Sequence, residues 1–298
     1  MQPSSVPDAQ HTAIVTGCST GIGFATALRL AREGCRVYAT VRSEASGANL
    51  LEAAADLPLS LLIVDVDDDA SVADGIASVI AAEGRVDILV NNAGIVMSGD
   101  VEAMALDTFQ AVMNTNLWGT LRCIQAVLPT MREQQSGCIV NVTSIAGRVA
   151  CAGQGAYAAS KWAAEAVSEI LASEVAPFGI RVAIIEPGIV ETAIFEKAVA
   201  QPIDFESPYF PITFRTARFL MAGAATPSSP DEVAEAIWQA VTTDTPVLRV
   251  TVGPDAAALA THRPQLSDET WVGALSDPDD AAWRARMLEW GATEVPPM

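Results

Sequence analysis

Tyr157 and Lys161 stand four residues apart in the segment Tyr-Ala-Ala-Ser-Lys and offer a phenol and an ammonium to one site. Positions four residues apart lie on the same face of a helix, so the two groups should lie close together. The chain has only two lysines, Lys161 and Lys197, against fifteen arginines, which indicates that an ammonium is required at position 161. A nearby cation lowers the pKa of a phenol from its ordinary value near ~10. We therefore expect Tyr157 to give or take a proton during chemistry on an alcohol or a ketone.

A glycine-rich segment, Thr16 to Gly23, follows the first predicted strand and opens the first predicted helix. It has the form Gly-x-x-x-Gly-x-Gly, in which glycines permit a tight turn and the helix N-terminus offers free N–H groups to a phosphate. The same residues match Gly-x-Ser-x-Gly with Ser19 at the centre, the pattern of a hydrolase nucleophile with His262 as a candidate base. That alternative requires earlier strands and an oxyanion-hole loop, and only one strand precedes Ser19. We interpret the segment as a phosphate-binding loop.

Short β-branched runs alternate with longer alanine-rich helical stretches along the chain, which predicts an α/β fold of the Rossmann type: a doubly wound parallel sheet of about seven strands with helices on both faces. The predicted strands are Thr12–Gly17, Cys35–Thr40, Leu59–Asp65, Val86–Asn91, Gly137–Thr143, Ile180–Glu186 and Val247–Val252. The predicted helices span residues 22–33, 44–55, 70–83, 104–133, 156–176 and 231–243. We predict one domain for residues 1–298, with a core of about 12–253, an insertion at 193–229 and an extension at 254–298 containing a short helix near 280–290.

Composition excludes several classes of protein. The net charge of −19 repels nucleic acid and anionic membrane surfaces, so neither is an expected partner. Five scattered cysteines without a C-x-x-C pair fit a reducing cytoplasm, and two histidines are too few for a histidine-rich metal site. The first ten residues show no secretory signal, and no continuous apolar stretch is long enough to span a membrane. We expect a soluble cytoplasmic protein without a bound metal.

Six motifs in order resemble those of the short-chain dehydrogenase/reductase family, over about Thr12 to Gly253. They are the glycine-rich loop, Asn-Asn-Ala-Gly at 91–94, Asn116, Ser144, the Tyr157/Lys161 pair, and Pro187-Gly188 with Thr192. The resemblance implies that Tyr157 is the acid/base, Ser144 holds the substrate oxygen, Lys161 also binds the nicotinamide ribose, and Asn116 fixes a water that links Lys161 to solvent. It implies the following cofactor-binding residues: Gly17, Ser19, Thr20, Gly21, Ile22, Gly23, Arg42, Asp65, Val66, Asn92, Ala93, Gly94, Tyr157, Lys161, Pro187, Gly188 and Thr192.

The end of the second strand predicts which nicotinamide cofactor is bound. NAD enzymes usually place an acid there to bind the ribose hydroxyls, whereas this chain has Val41 followed by Arg42. An arginine pairs well with a 2′-phosphate, so NADP(H) is favoured over NAD(H), and Ser19 could add a hydroxyl. Asp67, Asp68 and Asp69 are interpreted as a solvated acidic turn.

The insertion at 193–229 holds five of the eight phenylalanines, which are Phe195, Phe205, Phe210, Phe214 and Phe219. Such a segment fits either a lid over an apolar substrate or a small separate core. The run before Arg42 resembles the branch of steroid and retinol dehydrogenases. We expect an NADP(H)-dependent oxidoreductase for an apolar alcohol, ketone or aldehyde. The alternative is a nucleotide-binding regulatory protein of the same fold without turnover, and such a protein would be expected to have lost the Tyr/Lys pair.

The predicted helices at 104–133 and 156–176 resemble those through which family members associate. Trp118 and Trp162 lie on these helices and add large apolar surface. We therefore expect a homodimer or homotetramer, with both tryptophans packed inside the subunit as the alternative.

Overall fold

The computed structural model describes residues 11–194, 204–224 and 226–290. Its seven strands form one parallel sheet in the order β3-β2-β1-β4-β5-β6-β7, which confirms the predicted Rossmann-type fold. The strands are β1 Thr12–Val15, β2 Arg36–Val41, β3 Leu59–Ile63, β4 Ile88–Asn91, β5 Gly137–Val142, β6 Ile180–Pro187 and β7 Arg249–Val252.

Helices follow most strands and cover both faces of the sheet. Those that belong to the main α/β repeat are α1 Gly21–Arg32, α2 Glu44–Ala54, α3 Asp69–Glu83, α4 Leu106–Met113, α5 Gly119–Gln134, α6 Gly155–Val175 and α8 Pro230–Thr242. A further helix, α7 Phe210–Gly223, lies in the insertion, and three helices lie in the part of the extension that the structure describes: α9 Pro254–His262, α10 Asp268–Leu275 and α11 Asp280–Glu289.

The buried strands supply side chains to two separate cores. Ala13 and Val15 of β1 join the core under α1, α2 and α8, whereas Ile14 between them joins the core under α3, α5 and α6. Successive side chains of a strand point to opposite faces, so strands covered on both sides must be apolar throughout. This requirement explains why their hydrophobic runs could be recognised in the sequence.

The structure departs from the predicted helices in the middle of the chain, in the insertion, and in the extension, where α9 and α10 were not predicted. The single helix predicted over 104–133 is divided into α4, a π-helical turn at Asn114–Trp118 and α5. The insertion contains α7, which was not predicted. Pro211 lies in the first turn of α7, where a missing N–H costs no helical hydrogen bond.

The extension packs on the main domain through a third apolar cluster. Trp271, Trp283 and Trp290 lie in this cluster with Ile145 and Val149, which follow β5. The extension is therefore attached beside the loop that carries Ser144. None of the helices in the described ranges is long and apolar enough to cross a membrane.

Candidate active site

A cleft of about 1140 Å³ opens at the carboxyl ends of the strands, where the order of connection reverses between β1 and β4. Loops after β1, β2, β4, β5 and β6 line it, together with α7 and parts of the extension. Ligands of doubly wound sheets bind at such a reversal point. All predicted site residues except Gly23 and Asn116 line this cleft.

The glycine-rich loop provides close backbone approach and a free helix end. Gly17 and Gly21 have φ of +72° and +63°, and a Cβ on Gly23 would lie 2.4 Å from the carbonyl oxygen of Gly17. Thr20 is the N-cap of α1 and makes no capping hydrogen bond, and the first turn carries no acid. The backbone N–H groups at this end are therefore available to an anion, so the loop fits a diphosphate.

The Asn-Asn-Ala-Gly segment braces the glycine loop from the end of β4. Asn92 Nδ2 donates to the carbonyl oxygens of Thr16 and Gly17 at 2.9 and 3.2 Å, and Thr16 Oγ1 accepts from the N–H groups of Asn92 and Ala93. A Cβ on Gly17 would lie 2.8 Å from Cα of Ala93. The two loops thus pack backbone to backbone, which fixes the floor of the cleft.

The end of the cleft where the sequence predicts the adenosine is lined by Ser19, Arg42, Asp65 and Val66. Arg42 is exposed, and within the described part of the chain no carboxylate pairs with it. Val66 is buried, and Asp65 accepts from the N–H of Asp67 at 3.1 Å. An unpaired guanidinium on this rim fits a phosphate on the adenosine ribose.

Asp67, Asp68 and Asp69 are exposed, as expected of a solvated acidic turn, and each of them also has a polar partner. Asp68 is the N-cap of α3 and accepts from the N–H of Ser71 at 2.6 Å. Asp67 accepts from Thr115 Oγ1 at 3.0 Å, and Asp69 pairs with Arg122. Asp68 thus caps α3, whereas Asp67 and Asp69 connect the start of α3 to Thr115 and Arg122.

Ser144, Tyr157 and Lys161 meet at the centre of the cleft. Ser144 follows β5, and its Oγ accepts from the N–H of Ala146 at 3.1 Å and donates to the carbonyl oxygen of Pro187 at 3.4 Å. Tyr157 and Lys161 share one face of α6, with Nζ 5.7 Å from the centroid of the phenol ring. The lysine is buried, and Nζ donates to the carbonyl oxygen of Val142 at 3.0 Å. A phenol, a hydroxyl and an ammonium therefore lie together within reach of one ligand.

The expected lowering of the tyrosine pKa by Lys161 was wrong for this arrangement. Burial raises the pKa of Tyr157 above its ordinary value, and a hydrogen bond with Ser144 acts in the opposite direction. Burial also lowers the pKa of Lys161 to about 8, while the negative charge of Glu165 counteracts that change. Loss of solvent thus favours the neutral form of both groups.

Asn116 lies in the π-helical turn between α4 and α5, where the backbone departs from regular α-helical geometry. Its Oδ1 accepts from the N–H of Ile95 at 2.8 Å, and its Nδ2 donates to the carbonyl oxygen of Ile95 and to Ser160 Oγ, both at 2.9 Å. A Cβ on Gly94 would lie 3.3 Å from Asn116 Oδ1 and 3.8 Å from Lys161 Nζ. Asn116 therefore lies beside Lys161, across the glycine.

The loop after β6 closes the cleft over the glycine loop. Thr192 approaches Gly21, whose Cβ would lie 3.0 Å from the threonine Cγ2. No sequence motif singled out Asp255 at the start of α9, yet its carboxylate accepts from the N–H of Ile189 at 2.8 Å and fills the space beside Gly188. Burial raises the pKa of Asp255. Only the folded extension brings this acid to the loop, so no local signal could have identified it.

The far end of the cleft is mainly apolar. Phe214 and Phe219 line it, as do Leu259 and Trp290 of the extension. Phe210 stacks on Phe214 at a centroid distance of 5.1 Å, Phe205 is 71% exposed, and Phe195 lies outside the described residues. Of the four described phenylalanines of the insertion, two thus line the cleft directly. Among the residues that the structure covers, no three His, Cys, Asp or Glu side chains are arranged to hold a metal ion.

The sheet order, the glycine loop and the Tyr157/Lys161 pair define a doubly wound α/β protein with a dinucleotide-type cleft. A family model described as short chain dehydrogenase matches residues 11–202. The chain belongs to this family of oxidoreductases.

Relatives of known structure or activity agree with that assignment. Human 17-beta-hydroxysteroid dehydrogenase type 1 is 36% identical over 254 residues, which are 81% of this chain and 77% of that enzyme. A solved short-chain dehydrogenase from Streptomyces avermitilis is 34% identical with a TM-score of 0.79 and covers 96% of this chain and 97% of its own. A metagenomic short-chain oxidoreductase solved in complex with NADP is 27% identical, with a TM-score of 0.65 and coverage of 81% and 96%. The resemblance to steroid dehydrogenases expected from the sequence is confirmed.

Proposed function

We propose that this protein is an NADP(H)-dependent oxidoreductase that interconverts an alcohol and a ketone or aldehyde on an apolar, uncharged substrate. The observation that carries the proposal is the convergence of Ser144, Tyr157 and Lys161 in the same cleft as the glycine loop. The nicotinamide, when bound, supplies or accepts a hydride at the substrate carbon.

The side chains supply the proton and hold the substrate oxygen. In reduction, the phenol of Tyr157 transfers its proton to the carbonyl oxygen as the hydride adds to the carbonyl carbon, which gives the alcohol. The hydroxyl of Ser144 holds that oxygen. Lys161 binds the nicotinamide ribose, and Asn116 fixes a water that returns a proton to the site. The raised pKa of Tyr157 supports this direction, because the phenol is protonated and ready to donate at neutral pH.

A regulatory protein without turnover is not favoured. Such a protein needs the glycine loop but not the buried lysine, and burying an ammonium is costly unless it serves the site. This chain keeps Lys161 buried beside Tyr157 and Ser144. Oxidation of NADPH by a ketone in the presence of the pure protein separates the two functions, because a regulatory protein would bind the cofactor without consuming it.

The preference for NADP(H) is supported by the exposed, unpaired Arg42 and by the absence of an acid at Val41. A charge-assisted hydrogen bond contributes about 1.5–3 kcal/mol, so we expect NADPH to bind roughly ten- to a hundredfold more tightly than NADH. The substitution Arg42→Ala should remove most of that difference by weakening NADPH binding alone. Dissociation constants from fluorescence titration measure both effects.

Arg132 provides the control for net charge. It is exposed at the end of α5 and does not line the cleft, so Arg132→Ala makes the same charge change away from the ligand. We expect this variant to keep the preference of the unmodified protein. Equal affinities for NADPH and NADH in the unmodified protein would refute the cofactor assignment.

The substrate end of the cleft supports an uncharged apolar ligand. Its lining includes Met97, Met104, Phe214, Leu220 and Leu259. Among the described residues the only cationic side chains that line the cleft are Arg42 and Lys161, both at the cofactor side. A substrate carboxylate or phosphate would therefore lack a counter-charge.

The free cysteines, four of them buried, support a reducing cytoplasmic location, and the net charge of −19 supports a small-molecule ligand over nucleic acid or a membrane.

A further inference from the structure

Two buried carboxylates lie behind the loop that carries Ser144. Glu165 on α6 is 5% exposed, and Glu186 at the end of β6 is fully buried. Arg249 of β7 and Arg148 approach them from the edge of the sheet. An ionised carboxylate away from water is retained only where it is paired and hydrogen-bonded, so this cluster requires an explanation.

Glu165 holds the residue that directly precedes Ser144. Its Oε1 accepts from Thr143 Oγ1 at 2.6 Å, and its Oε2 accepts from Arg249 Nε at 2.9 Å. The loop after Ser144 also rests on this side chain, because a Cβ on Gly147 would lie 2.9 Å from Cγ of Glu165. The side chain of Glu165 therefore lies against the chain on both sides of Ser144, through its carboxylate at Thr143 and through its Cγ at Gly147.

The same carboxylate lies one helical turn beyond Lys161. The lysine reaches the carbonyl oxygen of Val142, the residue before Thr143. Lys161 and Glu165 thus bind adjacent residues at the end of β5 from one face of α6. Positions four residues apart on a helix interact electrostatically, and the effect increases where water is excluded.

Glu186 has a different environment. Arg148 donates to its Oε2 at 3.3 Å, and its Oε1 lies 3.6 Å from Arg249 Nε without a hydrogen bond to any described residue. Burial raises the pKa of Glu186, and the charge of Glu165 adds to that effect. Arg249 therefore pairs mainly with Glu165, and Arg148 pairs with Glu186. Of the two acids, Glu165 is the one whose charge acts on Lys161.

We propose that Glu165 is a positioning residue that fixes Ser144 through Thr143 and supplies the negative charge that keeps the buried ammonium of Lys161 protonated. The proposal rests on the proposed function only in so far as Ser144 and Lys161 serve catalysis. The charge of Glu165 raises the pKa of Lys161 against the effect of burial. The charged groups that act on Glu165 itself are Arg249 and Glu186, and Arg148 pairs with Glu186. Tyr157 is the remaining titratable group that faces the lysine.

The small number of lysines permits a test that does not depend on turnover. The chain contains only Lys161 and Lys197, so protein labelled with ¹³C at the lysine ε-carbon gives two signals in a carbon–proton spectrum. The substitution Lys197→Arg assigns them. A pH titration then reports the pKa of Lys161, which we expect near 8 in the unmodified protein.

Three variants separate charge from position. Glu165→Gln keeps the shape but removes the charge, so the pKa of Lys161 should fall by roughly one unit and kcat should fall about tenfold. Thr143→Val removes the hydroxyl but keeps the charge, so kcat should fall about three- to tenfold with the lysine pKa unchanged. Glu169→Gln is the matched control, because Glu169 binds the same arginine at 2.6 Å but is exposed and does not contact Thr143. It should change neither quantity.

The outcomes are distinct for each part of the inference. An unchanged lysine pKa in Glu165→Gln, or an equal fall in Glu169→Gln, refutes the role of the charge. A normal kcat in Thr143→Val refutes the positioning of Ser144. If Glu165→Gln does not fold, the double variant Glu165→Gln/Arg249→Gln removes the charges as a pair and should show the same fall in the lysine pKa. Failure to reduce any ketone would overturn the proposed function and leave the titration result standing.

Discussion

Tyr157 and Lys161 are placed by helix geometry, but their ionisation is set by burial. Solvent exclusion raises the pKa of the phenol and lowers that of the ammonium to about 8. Each change favours the neutral form, so the lysine needs Glu165 as a counter-charge while the phenol remains a proton donor. At the residue scale, the site therefore favours proton donation by Tyr157 at neutral pH.

The substitution Tyr157→Phe should abolish turnover while NADPH still binds. Phenylalanine keeps the ring but removes the proton that the substrate oxygen receives, and loss of a positioned acid costs at least about a hundredfold in kcat. Steady-state kinetics and a fluorescence titration of NADPH measure the two quantities. Tyr38→Phe is the control, because the hydroxyl of Tyr38 donates to Glu83 at the end of α3 and Tyr38 does not line the cleft. A variant at position 157 that keeps more than a few per cent of kcat would exclude the phenol as the acid.

The positions of the reactive residues followed from the sequence, whereas their pKa values did not. The spacing of Tyr157 and Lys161 is a local property of a helix, and it places both groups on one side of α6. Their burial depends on α6 packing beside β5 and the turn at Asn116, which joins residues far apart in the chain. For the same reason Asp255 could not be recognised, since it meets Ile189 from sixty-six residues away.

At the element scale, α7 forms one wall of the apolar end of the cleft. Phe214 and Leu220 line the cleft, whereas Arg215 and Arg218 are buried on the side that faces the extension. Arg215 donates to the carbonyl oxygens of Asp277 and Pro278, and Arg218 pairs with Asp280. The helix is thus held between the cleft and the extension. The sequence indicated the aromatic cluster but not the helix, because Pro208 and Pro211 resemble loop residues unless Pro211 lies in a first turn.

Phe214→Ala should penalise bulky ketones more than small ones. Each methylene buried against the lid contributes about 0.8 kcal/mol, so kcat/KM for a ketone series should rise up to fourfold per carbon in the unmodified protein and less steeply in the variant. Phe205→Ala is the control, since Phe205 is exposed and does not line the cleft. Phe210 does not line it either, so Phe210→Ala should act only through its stacking on Phe214.

The same ketone series tests whether the extension affects substrate selectivity. The substitution Asp280→Asn weakens the ion pair between the extension and Arg218 of α7. Looser packing of α7 should flatten the dependence on substrate size without changing NADPH affinity. Small polar ketones or sugars as the best substrates of the unmodified protein would contradict an apolar pocket. Unchanged selectivity in Asp280→Asn would limit the extension to a structural role.

At the scale of the whole molecule, the sheet was predictable and the extension was not. Strands buried on both faces must be apolar, so all seven could be located from short hydrophobic runs. Only the helix near 280–290 was expected in the extension, yet α9 and α10 also form. These short helices are stabilised by packing around Trp271 and Trp283, and such tertiary contacts leave little periodic signal in the sequence.

Two tryptophans lie on the surface of the molecule, Trp118 directly before α5 and Trp162 on α6. Trp118 and Trp162 are 50% and 49% exposed, and Ile170 on α6 is 59% exposed. The two tryptophans are therefore not fully packed inside the subunit, and their place in an interface remains a prediction. Exposed aromatic side chains on neighbouring helices are typical of a surface that a second copy covers. We propose a homodimer or homotetramer, and light scattering at micromolar concentration should give roughly two or four times the 31.2 kDa of one chain.

Trp162→Glu should shift the mass toward the monomer, because a charge at the centre of such an interface would be buried without a partner. Glu174→Gln, an exposed change on the same helix, should leave the mass unaltered. A single species near 31 kDa for the unmodified protein would show that this face is left to solvent.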